Sequence, residues 1–414
     1  MRRILMSVIL VAGVSALLEA QGTSTDWTQW RGQNRDGVIP SFTPPREWPQ
    51  QLVRKWKVEV GLGYATPIVV GNRVYQFSRQ GENEVMMALD AESGKVLWQT
   101  GYPAVFTMHS AARPHGQGPK STPVFFNGRL YAIGMTGVVT AFNAADGKQI
   151  WQKPGSPLVP TYTSHAFSPL ITGGAVVFHV GGHNKGALTA YDLNTGAVKW
   201  AWGGEGPVFG PGYGSPVVAD FGGTRQIVTI TQNRLVSVDA ATGALLWDRP
   251  FESSNETNSG TPIVYGQTVI AAGNSGPTIA FSVAKRNNQW AVEQVWENAD
   301  IPMKLTNGVI VRDALFTLAT RNSGQYVSVD AKTGKTLWMS EGRQAGNAAI
   351  STAGDVMLSL EDDGELVVVR SSQAAFEPVR RYKVADAETW AQPAISGNRI
   401  FVKDVSSLTL WTLN

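Results

Sequence analysis

The chain contains no cysteine. That absence excludes disulfides, thiolate metal sites, a cysteine nucleophile and a lipid anchor on an N-terminal Cys, so stability in an oxidising compartment has to come from packing and closure. Charge is sparse too: Asp, Glu, Lys and Arg make up 16% of the 414 residues and nearly cancel, leaving +3. Lys and Arg are scattered among the acids rather than gathered into runs, which excludes the concentrated basic face that a nucleic acid requires. Histidine is scarce, and all five residues fall between positions 109 and 183. The spacings His109/His115 and His179/His183, with His165 between them, reproduce no metal-binding signature. Beyond residue 20 no run is long and apolar enough to span a bilayer.

The first residues, Met1, Arg2 and Arg3 followed by the apolar run from Ile4 to Leu18, have the basic head and short apolar core of a secretory signal. Cleavage is expected after Ala20. The mature chain is then expected to be exported, soluble in the periplasm or outside the cell, and monomeric.

What is abundant is turn-forming and strand-forming residues: 44 Gly, 22 Pro and 14 Trp, in a background of Val and Thr, point to short strands and frequent turns. One line recurs through the chain: an apolar pair, Asp, two variable residues, a small hydroxylated residue, Gly, and Trp four residues later. It is written with Asp90, Gly94 and Trp98, with Asp192, Gly196 and Trp200, with Asp239, Gly243 and Trp247, and with Asp330, Gly334 and Trp338; Asn143, Gly147 and Trp151 form a variant. Asp or Asn can hold the turn backbone and Gly can supply the positive φ of a bulged hairpin, so the line reads as structure rather than as a row of catalytic acids. The Trp reads as a wedge between neighbouring sheets, burying roughly 200 Å² each time.

The aromatic position recurs at Trp56, Trp98, Trp151, Trp200, Trp247, Trp296, Trp338 and Tyr382, at spacings of 42 to 53 residues, which suits a four-stranded blade with its loops. A second signature, a small polar residue usually followed by Pro and a short apolar strand, also occurs eight times, beginning at Thr66, Thr122, Ser168, Ser215, Thr261, Asn307, Ala348 and Gln392. The expected fold is therefore all-β: an eight-bladed β-propeller of four-stranded antiparallel blades over residues 53–414. The last unit lacks an outer strand and the segment around Val53 to Val58 precedes the first full repeat, so pairing of the N- and C-terminal strands is expected to close the ring and remove open edges. Residues 21–52 are expected to form an irregular extension packed on the propeller.

These lines resemble the repeats of the pyrroloquinoline-quinone-like β-propeller family, which includes quinoprotein alcohol dehydrogenases and the outer-membrane assembly lipoprotein of the β-barrel assembly machinery. The resemblance spans about residues 53–413, and the opening segment Trp27 to Gly37 resembles that of an exported bacterial subgroup of quinone-like repeat proteins. It implies the fold. The dehydrogenases carry an adjacent disulfide over the quinone and the assembly lipoprotein a lipidated Cys, and this chain has neither.

In a propeller the connection entering each inner strand lies at one face beside the channel, so residues just before the inner strands are candidates to line a funnel. They are Tyr64, Lys120, His165, Phe167, Tyr213, Asn258, Lys304, Asn347 and Trp390. The long connection between Trp98 and Thr122 adds His109, Arg113 and His115. Aromatic stackers, amides and cations together suit a flat polar ligand such as a sugar or a quinone.

Three readings follow. The first is an exported binding or scaffold module whose funnel and loops hold a protein partner or a small polar ligand such as a sugar. The second is a quinone-dependent alcohol or sugar dehydrogenase; pyrroloquinoline quinone with calcium would need a stacking surface, cations for the quinone carboxylates and oxygen ligands for the metal, of which Trp390, Lys304 and Asn258 supply only fragments. The third is a carbohydrate-active enzyme using His109, Arg113 and His115. The acidic run Glu361 to Glu365 reads as an inter-strand turn without full calcium-loop spacing.

Overall fold

Each Asp…Gly…Trp line folds into a bulged hairpin. Asp90 Oδ1 accepts the backbone N–H groups of Glu92 and Ser93 and the Ser93 hydroxyl, at 3.2, 2.8 and 2.7 Å, and these bonds hold its carboxyl below the usual range. Asp192 does the same with Asn194 and Thr195. The ladder slips by one residue directly before the turn, between Ala88 and Leu89 in the Asp90 line and between Ala190 and Tyr191 in the Asp192 line.

Stacked hairpins build eight four-stranded antiparallel sheets, with inner strand first and outer strand last in chain order for seven of them. The computed structural model describes residues 25–414 except 109, 156–164, 181–187, 204–211, 252–257 and 274–275. Blades 1 to 7 occupy residues 68–103, 124–153, 170–202, 217–250, 263–298, 309–339 and 348–383. Blade 8 is composite: strands Ala394–Ser396, Arg399–Lys403 and Ser407–Thr412 receive Val53–Glu59 as their outer strand, with Val53 opposite Thr412 and Glu59 opposite Ser407. This is the expected closure, and it covers the edge that the C-terminal strand would otherwise leave open.

The blades are joined by two repeating contacts. At the rim, Trp56, Trp98, Trp151, Trp200 and Trp296 each lie on the glycine of the next blade's turn. A Cβ on Gly147, whose φ is 74°, would stand 2.4 Å from the Trp98 ring, and one on Gly94 would stand 2.8 Å from Trp56. The glycine is thus required twice, by backbone conformation and by the close approach of the indole. Trp56, Trp98, Trp151 and Trp296 also donate Nε1–H to a carbonyl of that turn, at 3.0 to 3.2 Å. Blades 5 and 7 break the rule: the outer hairpin of blade 5 turns through Asn287 and Asn288 with no glycine, and Trp247 instead donates to Gln226 Oε1 within its own blade, while the outer turn of blade 7 also lacks a glycine and takes the Trp338 Nε1–H on Ser372 O at 2.8 Å.

Around the channel runs a belt of hydroxyls. The backbone N–H of Thr66 donates to Thr122 Oγ1, Thr122 to Ser168 Oγ, Ser168 to Ser215 Oγ, Ser215 to Thr261 Oγ1, and Thr261 to Asn307 Oδ1, at 2.9 to 3.0 Å. In blades 2 to 6 the small polar residue before the inner strand therefore accepts the N–H of the blade before it. That N–H sits where no sheet partner reaches, so its bond is worth its desolvation cost.

The extension closes the channel at the end away from the inner-strand starts. Trp27 exchanges both backbone bonds with Val69, Phe125 N–H donates to Thr28 O, and Thr352 bonds Gly37 and Ile39. Between these anchors Arg31 and Arg35 enter the channel and flank the Trp30 ring, each 5.6 Å from its centroid. Arg31 donates to the carbonyls of Asn307, Gly308 and Asp36; Arg35 donates to those of Pro169 and Ser168 and to Gln29 Oε1. Burial lowers both guanidinium pKa values, to about 10 and about 9, with Arg31 adding to the effect on Arg35. Trp27, Ile39, Phe42 and Trp48 join the core of the blades on either side of the closure.

Two outcomes test these contacts. Trp98→Ala should cost about 3 to 5 kcal/mol of unfolding free energy and Gly147→Ala about 1 to 3, and the double variant should cost clearly less than the sum, because removing the indole frees the space the new methyl needs. Denaturant unfolding of the four proteins checks this; strict additivity would contradict the shelf. In the belt, Thr122→Val should cost about 1 to 3 kcal/mol and Thr122→Ser much less, since only the hydroxyl is used.

Candidate binding site at the channel mouth

The connections entering the inner strands open onto the channel end opposite the extension. The blade 1 to blade 2 connection carries a short 3₁₀ helix, Ser110–His115, with Arg113 and His115 in its last turn. His115 meets Trp390, from the connection into blade 8, edge to face with centroids 5.8 Å apart. Trp390 in turn donates Nε1–H to Glu388 Oε2 at 3.2 Å. Lys120 donates to Gly116 O at 3.1 Å and sits 3.9 Å from Met135 Sδ.

Electrostatics draws in residues from more distant blades. Burial, and then the charges of Lys120 and Lys304, push the His115 imidazole down toward its neutral form, with Glu388 opposing them. Burial lowers the Lys120 ammonium to about 8. Tyr64 is raised to about 12 by burial and by the nearby carboxylates of Glu388 and Asp404. Tyr64, His115, Lys120, Lys304, Glu388 and Trp390 therefore form one mouth of mixed aromatic and charged groups, drawn from the connections into blades 1, 2, 6 and 8. Arg113 and Lys304 are exposed there, and Tyr64, His115, Lys120 and Trp390 are half-buried.

Other residues expected in the funnel lie elsewhere. His165 is buried edge-on against Phe167, at 5.8 Å, and desolvation lowers its pKa to about 4. Asn258 is fully buried and its amide pins the carbonyls of Thr231, Gln232 and Phe251, at 2.8 to 3.1 Å. Asn347 is buried and accepts the Thr306 hydroxyl. Packing takes these three beneath the face on which chain position sets them. Tyr213 is half-buried with its N–H on Asn258 O, and His109 lies outside the described residues.

Glu388 and Asp404 are the residues that sequence reasoning missed. Glu388 was visible as an acid two residues before Trp390, in the same pre-strand phase as the other candidates. The acidic run forms the turn between Val356–Glu361 and Glu365–Arg370, and Arg381 already binds Glu361 and Glu365 at 3.0 and 3.1 Å.

Comparison with known proteins agrees with the architecture. A family profile described as outer membrane protein assembly factor BamB matches residues 81–295 and 292–414. The assembly factor BamB of Yersinia pestis is 25% identical over 324 residues, covering 73% of this chain and 74% of that protein. The quinohemoprotein alcohol dehydrogenase ADH-IIG of Pseudomonas putida is 30% identical over 159 residues, 36% of this chain and 21% of that one. Among solved structures, BamB from Moraxella catarrhalis superimposes with a TM-score of 0.62 at 18% identity, over 87% of this chain and 97% of that one. Quinohemoprotein alcohol dehydrogenase from Comamonas testosteroni gives 0.69 at 14% identity, over 95% and 81%. Those two likenesses concern the fold, which the dehydrogenases and the assembly factors share. With eight repeat-built blades and a profile match across most of its length, the chain belongs to the outer membrane protein assembly factor BamB family of pyrroloquinoline-quinone-like repeat propellers.

Proposed function

We propose that this chain is an exported, non-catalytic binding propeller that acts as a scaffold, with a protein partner held at the channel mouth. The observation that carries the reading is the meeting of His115 and Trp390 across the mouth, flanked by Lys120 and Lys304. A half-buried aromatic beside cations is the side-chain mixture that anchors protein interfaces. Relatives named as assembly factors support the same direction. Among the described residues no helix is long and apolar enough to cross a membrane.

Quinone chemistry is the reading that the dehydrogenase relatives bring. Calcium with a quinone needs oxygen ligands converging beside the stacking surface. Of the described carboxylates near the mouth, Glu388 is engaged by Trp390. Asp404 accepts the N–H groups of Ser406 and Ser407 and faces Lys57 at 3.6 Å. The described residues do not fit that cofactor, and we derive no redox step from them.

A photo-crosslinking amino acid at Arg113 or Lys304, in cells expressing the full chain, should yield a discrete crosslinked protein, and the same probe at Val198 on the outer rim should not. Trp390→Ala should remove the product without lowering the thermal midpoint. Equal labelling at Val198, or turnover with pyrroloquinoline quinone and calcium that Trp390→Ala abolishes, would refute the proposal.

Lys120 adds a pH signature. Its folded pKa, about 8, lies below its ordinary value of 10.5, so the folded chain binds fewer protons than the unfolded chain between those values and gains stability as pH rises through that window. The stability of Lys120→Met relative to the parent should therefore decline between pH 8 and 10.5, as measured by unfolding at a series of pH values.

A further inference from the structure

At the channel end opposite the mouth, a cavity of about 800 Å³ lies between the extension and the inner strands of blades 2 to 6. Its wall is made of sheet edge. Every inner strand from blade 1 to blade 7 ends in a two-residue turn whose flanking residues pair with each other, as Val70 with Arg73, Thr172 with Ala175, Phe221 with Thr224, Tyr265 with Thr268 and Val311 with Ala314. In such a hairpin the flanking pair is hydrogen-bonded, so the residue just before it turns its N–H and C=O the other way, toward the channel.

The chain shows what those groups bind. In blades 1, 2 and 7 the residues at this position are Val69, Phe125 and Thr352, and each is bonded to backbone of the extension: Trp27, Thr28, and Gly37 with Ile39. In blades 3 to 6 the same position is held by Ile171, Asp220, Val264 and Ile310, all of which line the cavity. Among the described residues their N–H groups have no backbone partner; the Asp220 carbonyl takes a long bond from Gln267, at 3.4 Å. Higher on the same edges, Arg35 caps Pro169 O and Arg31 caps Gly308 O. The extension thus completes part of a ring of edges and stops, leaving a continuous arc of four blades.

We propose that this arc is a strand-addition site for a short extended segment of a partner polypeptide, crossing blades 3 to 6 as residues 27–39 cross blades 7, 1 and 2. Edges that already take main chain at three equivalent positions favour main chain at the four that line the cavity. The charged lining consists of Arg31, Arg35 and Arg225 against Asp36 and Asp220, three positive and two negative, which favours a segment carrying an acidic residue. The proposal concerns the other end of the molecule and does not rest on the mouth.

Hydrogen exchange of the full chain, with site resolution, tests it in two steps. Without ligand, the amides of Ile171, Val264 and Ile310 should exchange faster than those of Val69, Phe125 and Thr352; equal protection overturns the proposal. The probe is then acetyl-Thr-Val-Asp-Val-Thr-amide at millimolar concentration. It should slow the first three amides at least about tenfold, toward the protection of laddered strand amides, leave the second three unchanged, and lose its effect when alternate peptide nitrogens are methylated. Asn34→Trp, at an exposed position lining the cavity, should abolish the protection while the thermal midpoint holds. No protection by the probe, protection retained after N-methylation, or the same protection from a neutral disaccharide such as cellobiose would each overturn it.

Discussion

The contact on which the rest of this structure depends is an indole lying on a glycine of the next blade. A four-stranded sheet of this size is not stable by itself, because both of its faces are apolar and need neighbours. The Trp and Gly pair sets how close those neighbours come and at what angle. Since the Trp belongs to one repeat and the Gly to the following one, each repeat is incomplete alone. That is why the ring has to close, and why strand Val53–Glu59 travels from the start of the propeller to finish blade 8.

The hydroxyl belt solves a different problem at the other end of each blade. Close to the axis the sheets converge, and the N–H preceding each inner strand has no ladder to join. From blade 1 to blade 4 a Thr or Ser on the following blade supplies the missing acceptor, and the belt ties these inner strands to one another. Rim and axis are therefore held by separate chemistries, one dispersive and one polar. Loops at the two channel ends are left free to vary without disturbing either.

Much of this was legible in the residues. Repeat phase predicted eight blades, the closure and the face on which Tyr64, Lys120, Lys304 and Trp390 emerge. The same phase failed for His165, Asn258 and Asn347, because it reports face and not depth. Phe167 covers the first, and the other two are drawn down by polar groups within their own surroundings: three carbonyls around Asn258 and the Thr306 hydroxyl beside Asn347. The engagement of Glu388 with His115 and Tyr64 was hidden for a similar reason, since those residues come from the connections into other blades.

The sequence by itself determined the architecture, since turn, wedge and belt are each encoded within a few residues and repeated until the ring is specified. Only the tertiary structure decided where chemistry can occur. The mouth gathers residues from blades 1, 2, 6 and 8, and the extension inserts two arginines among carbonyls more than 130 positions away. Such meetings depend on how far each non-repeated loop reaches over the channel, which no local pattern records.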